Sequence, residues 1–177
     1  MSPTPRFGLT LAVYATSSDL AWIAFENPFL PYDWGLVSTK DRKNERALQA
    51  VDRLIDRLHP EALVMEAFER RNSKRTTRIG RLGRALTCLA TDRGTEVAIY
   101  ERDKVTACFS SVGAKTREEI AAAVVRHIDA FRYRLPKRRR AWEGERRDMA
   151  LFSATALALT HYQLSAARLL DNLRDAA

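Results

Sequence analysis

Cysteine is scarce in this chain, with only Cys88 and Cys108 among 177 residues. They lack the paired spacing of a zinc ligand set, and two thiols in a chain of this length do not build a disulfide scaffold, so a reducing, cytoplasmic setting is the expectation. Histidine is nearly as rare, and His59, His127 and His161 are too scattered to form a ligand set by spacing. No apolar run reaches the roughly 18 residues of a membrane span. The N-terminal MSPTPRFG has neither a charged start nor an apolar core with a cleavage site, so neither export nor membrane insertion is expected. Internal repeats and low-complexity tracts are also missing, and the length suits one domain, 1–177, with a real core.

The most informative absence is of acid. From Arg70 to Arg84 the chain carries Arg70, Arg71, Lys74, Arg75, Arg78, Arg81 and Arg84 with no Asp or Glu among them. A second cluster, Lys137, Arg138, Arg139 and Arg140, precedes a segment with Arg146 and Arg147. The formal charge is +8 and the pI near 9.9. Clustering of this kind is the electrostatic footprint of a nucleic-acid partner, although a solvated charged face would produce the same pattern.

Hydrophobic periodicity gives the elements. Phe7 to Ala15 and Leu20 to Glu26 read as strands about the turn-forming TSSD, and a loop with Pro28 and Pro31 leads to a shorter third strand, Gly35 to Thr39. Arg42 to Leu58 is an amphipathic helix closed by Pro60. A fourth strand, Ala62 to Glu66, ends on an acid. A helix from about Thr76 to Arg93 stops at Gly94, and Glu96 to Tyr100 is the fifth strand, so strand, helix, strand forms a parallel crossover. Thr116 and Glu119 form a capping box for a helix through Ile128, and a final helix from about Glu145 to Leu173 is apolar nearly all round between Met149 and Leu159. The fold class is α/β, a mixed five-stranded sheet of an antiparallel meander and then two parallel strands, flanked by helices.

The segments LAVYATSSDLAWIAFE, DWG at 33–35, LVMEAFE around Glu66, RRNSKRTTRIGRL, YERDKVTACF, GAKTREEIA and the closing W-x5-D-M-A-L-F-x-A-x-A-L-A-L-T-H-Y keep an order and spacing that extend over nearly the whole chain. In this the chain resembles the RuvC branch of the ribonuclease H superfamily, the Holliday-junction resolvases, and in particular small bacterial RuvC-like proteins. The resemblance implies a nuclease in which three or four carboxylates, from the first strand, the fourth strand and the last helix, hold two magnesium or manganese ions astride a scissile phosphate. That many are needed because two divalent ions about 4 Å apart repel strongly unless anionic oxygens bridge them.

This chain departs from that pattern. The resemblance sets Tyr14 where the first-strand aspartate belongs and Ser153 where the last helix has its acid, leaving Glu66 as the one acid in an expected catalytic place and the candidate metal ligand. Asp19, Glu69, Glu145 and Asp148 are candidate substitutes. Asp148 lies five residues before Ser153, about 140° away around a regular helix, which makes it a poor one. Tyr14 reads as a packing residue. Trp22 and Trp34 belong to the sheet, and Trp142 is a helix anchor or a base-stacking platform.

Three readings follow. The first is a RuvC-like protein that binds branched or structured nucleic acid, most simply DNA, in a cationic trough formed by the two basic clusters, with reduced or absent nuclease activity. The second is a magnesium- or manganese-dependent endonuclease with an unusual carboxylate set of Glu66, Asp148, Glu145 and Asp19. The third is a protein-interaction module docking an acidic partner. The resemblance also raises self-association as a homodimer.

Overall fold

The computed structural model describes residues 8–68, 74–135, 137 and 146–175, without the side chains of 74–76, 173 and 175. The opening segment forms β1 (Thr10–Ala15), β2 (Asp19–Asn27) and β3 (Leu30–Ser38). These β-rich sequences pair antiparallel about TSSD, where the Thr16 hydroxyl accepts from the Asp19 backbone N–H at 3.0 Å. The third strand is longer than the two prolines led the sequence reading to expect. It tolerates Pro31 because β3 lies at the sheet edge and its pairing with β2 is irregular around Phe25, where a missing N–H costs little.

Next come α1 (Lys43–Leu58), β4 (Ala62–Glu66), α2 (Lys74–Asp92) and β5 (Glu96–Tyr100). Both new strands run parallel to β1, and the sheet order is β3-β2-β1-β4-β5. The mixed sheet with an antiparallel meander followed by parallel strands is the one expected from the sequence. Gly94 ends the α2 region with φ 72, a backbone conformation that disfavours any Cβ.

A short helix that periodicity did not reveal, α3 (Arg102–Ser110), follows β5 at once. It is amphipathic only weakly, burying Val105 and Phe109 alone. Then come α4 (Arg117–His127), a 3-10 turn over Asp129–Arg134, and α5 (Asp148–Asp175). Thr116 accepts from the Glu119 N–H, and the Glu119 carboxylate accepts from the Thr116 N–H, so both halves of the capping box form.

Strand alternation divides the core in two. Leu11, Val13, Leu63 and Met65 face α1 and α2, whereas Ala12 and Val64 face α5, α4 and α3. The second layer buries Met149 to Phe152 and Ala154 to Ala158 of α5, with Phe131 edge-to-face against Phe152. By the same parity Tyr14 and Glu66, two residues beyond Ala12 and Val64, project toward α5 from the edge of the sheet where the parallel strands end. No helix among the described residues is long and apolar enough to cross a membrane.

Candidate nucleic-acid interface

Ligands of parallel α/β sheets gather beyond the carboxyl ends of the strands. At that edge lies a cleft of about 50 Å³, lined among others by Tyr14 and Glu66 from the sheet, Arg102 from α3, Lys115 and Arg117 from the start of α4, and Ser153 from α5. Glu66, Tyr14, Ser153 and Arg117 are half-buried, and Arg102 and Lys115 are exposed. The three cations and Glu66 therefore meet around one opening.

Arg117 organises it. From a single nitrogen, Nη2, it donates to Tyr14 Oη at 3.0 Å and to Ser153 Oγ at 2.9 Å. The Ser153 hydroxyl in turn donates to the Met149 carbonyl at 3.1 Å. The Arg117 guanidinium carbon lies 5.4 Å from the centroid of the Tyr14 ring, within cation-π range. The capping box fixes the backbone just before Arg117, so the guanidinium is held from both ends. Tyr14, read from sequence as a packing residue, packs on the α5 side of the core and also accepts this bond.

Among the described residues, the sequence-predicted acids do not gather at the cleft. Glu66 lines it. Asp19, placed by the sequence reading in a hairpin turn, is the first residue of β2 and almost fully buried, and its Oδ1 accepts from Arg147 Nε at 3.0 Å. Burial alone would raise its pKa, but hydrogen bonds from Arg147 and Ser18 and the positive charges of Arg147 and Lys40 hold it below the ordinary 3.8. Asp148 opens α5 and forms an ion pair with Arg134 at 3.8 Å. Glu69 and Glu145 lie outside the described residues.

The predicted basic residues divide similarly. Arg81 and Arg84 project into solvent from α2. Arg78 is half-buried and acts inward, donating to Thr16 O at 2.9 Å and Asn44 Oδ1 at 3.1 Å, so it ties α2 to α1 and the TSSD turn. Lys74 and Arg75 open α2, with side chains that are not described, and Arg70, Arg71, Arg138, Arg139 and Arg140 lie outside the described residues. Lys137 is exposed. Sequence reasoning missed Arg102, Lys115 and Arg117. The available signal was that GAKTREEIA places a lysine and an arginine around a helix cap.

The residues present do not fit the two-metal centre that the RuvC resemblance implies. Magnesium and manganese favour anionic oxygen, whereas the described polar side chains here are one carboxylate, a phenol, the hydroxyls of Thr106 and Ser153, and three cations, Arg102, Lys115 and Arg117. At an effective dielectric near 20, a divalent ion about 4 Å from a guanidinium meets roughly 8 kcal/mol of repulsion. Among the described residues no cluster of three or more His, Cys, Asp or Glu is placed to hold a metal.

The fold itself is the ribonuclease H-like fold in its RuvC-type form. Among solved structures, Thermus thermophilus RuvC in complex with a Holliday junction substrate matches with a TM-score of 0.62 at 19% identity, over 87% of this chain and 92% of that one. The yeast mitochondrial Holliday junction resolvase matches with a TM-score of 0.61 at 11% identity, over 99% of this chain and 89% of that one. Fowlpox virus resolvase, solved with substrate Holliday junction DNA, gives 0.52 at 11%, over 88% and 99%. No family model matches the sequence, and no curated protein matches it either.

Proposed function

We propose that this chain is a cytoplasmic, RuvC-like protein that binds branched DNA of the four-way-junction kind, with nuclease activity reduced or absent. The observation that carries the reading is the convergence of Arg102, Lys115 and Arg117 on the cleft at the strand ends. It occurs on a fold whose solved examples include two complexes with Holliday junctions. Arg81 and Arg84 on α2 and Lys137 add exposed cations to those at the cleft. Contacts of this type track phosphates and do not read bases. Loss of cleavage follows from the replacement of two expected acids by Tyr14 and Ser153 and from the engagement of Asp19 and Asp148 by arginines. A four-way junction has approximate two-fold symmetry, which a homodimer would match.

Titration of the protein with a four-way junction and a linear duplex of equal length, over a range of salt, tests the reading. The expected result is tighter binding of the junction and affinity falling steeply as salt rises. Absence of binding, or binding without salt dependence, overturns it and favours docking to an acidic protein.

A further inference from the structure

We infer that Tyr133 is a stacking platform for a nucleobase left unstacked at the branch point, and that it supplies the preference for branched over linear DNA that phosphate contacts leave open. The inference rests on the DNA-binding reading and names the part of the ligand that the cleft does not select. Tyr133 lies on the 3-10 turn between α4 and α5 and is 94% exposed. An exposed aromatic standing alone needs no explanation. This one stands between Arg132 and Arg134, both exposed, with exposed Lys137 just beyond them. An aromatic ring set among cations is the pattern of surfaces that bind nucleic acid through unpaired bases.

The turn is anchored beside the cleft. Ile128 and Phe131 are buried, and the Phe131 N–H donates to the Ile128 carbonyl at 3.1 Å. The Phe131 ring packs edge-to-face on Phe152 with 6.1 Å between centroids, and Phe152 lines the cleft. Two residues further along a 3-10 helix is roughly 4 Å, so Tyr133 stands on the order of four nucleotides from the cleft at about 3.4 Å each. Residues three apart eclipse one another in this helix, and the one three before Tyr133 is Ala130, too small to cover the ring. Arg132 and Arg134 meet Asp129 at 3.4 Å and Asp148 at 3.8 Å in solvent-accessible pairs. Such pairs are weak, so exchanging a carboxylate for a phosphate on either side of a stacked base costs little. A linear duplex offers no open base face along its length, so stacking on Tyr133 rewards only DNA whose continuous stack is broken. Tyrosine has few rotamers to lose when it does this.

The test measures binding of wild type, Tyr133→Phe, Tyr133→Leu and Tyr133→Ala to a four-way junction and to a linear duplex of equal length, over a range of salt. The side chain is in solvent, so none of these variants threatens the fold. Tyr133→Ala should bind the junction about ten-fold more weakly, the loss of one stacked base. Its affinity for the duplex and its salt slope should stay at the wild-type values, because no charge is removed. Tyr133→Phe, which keeps the ring, should bind the junction as wild type does, and Tyr133→Leu should recover at most part of the loss. Wild-type junction affinity in Tyr133→Ala would overturn the inference while leaving junction binding intact. So would an equal loss on junction and duplex, a Tyr133→Leu that binds as wild type, or a Tyr133→Phe as weak as Tyr133→Ala. Failure of wild type to bind the junction would remove both readings together.

Discussion

Asp19 and Arg147 form an ion pair in which one partner is almost entirely inside the protein and the other largely outside it, their side chains being 3% and 60% exposed. The pair joins the start of β2 to the residue just before α5. It thereby anchors the N-terminal end of the helix that carries Ser153. Asp19→Asn should cost about 1–2 kcal/mol in denaturant unfolding, because a charged hydrogen bond is lost but one partner is screened by water.

The same pair sets an acid limit. Asp19 has a folded pKa below its ordinary 3.8, so the unfolded chain takes up a proton more readily than the folded one. Its contribution is fully present above about pH 3.8 and disappears as pH falls through the lower folded value. Unfolding free energies measured down through this window should show a loss in wild type that is smaller in Asp19→Asn.

His161 gives a second pH dependence at higher pH. Its Nδ1 lies 2.9 Å from the Tyr100 hydroxyl, linking α5 to the end of β5. Burial lowers its pKa from 6.5, outweighing the favourable charge of Glu96, while Arg168 adds to the lowering. The unfolded state again binds the proton more tightly, so stability is complete above about pH 6.5 and declines as pH falls toward the folded value. An NMR titration should show the His161 ring changing charge below pH 6.5. A midpoint above that would contradict the burial argument.

Thr160, fully buried in α5, has a hydroxyl without a hydrogen-bond partner among the described residues. Thr160→Val keeps the shape and removes the desolvated oxygen, and should stabilise the protein by about 1 kcal/mol. Destabilisation in thermal or denaturant unfolding would show that the hydroxyl is satisfied.

Around Arg117, Tyr14→Phe and Ser153→Ala should each cost about 1 kcal/mol. Because both acceptors share Nη2, the double variant should lose less or more than the sum, and a double-mutant cycle measures that coupling. Strict additivity would argue against a shared anchor.

Much of the fold was legible because burial imposes a period. β4 and β5 have the bounds their apolar runs predict, and the capping residues Thr116 and Glu119 marked α4 directly. The extent of β3 was hidden by Pro31, whose effect depends on whether a strand lies at an edge, a property of the sheet and not of the segment. α3 was hidden because so few of its residues are buried. The site was legible only in part. Glu66, Tyr14 and Ser153 could be placed by resemblance, but their connection through Arg117 spans separations of 103 and 36 residues, which no local pattern encodes. Arg78 illustrates the converse: its spacing placed it with its neighbours in a basic strip, and only the packing of α1 against α2 shows it turned toward Thr16 and Asn44.

The most direct test of a cationic cleft that binds a junction without cutting it is a gel assay of wild-type protein with a labelled four-way junction in excess magnesium or manganese. The predicted result is a retarded junction recovered intact, with the same retardation in chelator. Nicked or resolved duplex products that vanish in Glu66→Gln, or retardation that appears only with the divalent ion, would contradict it.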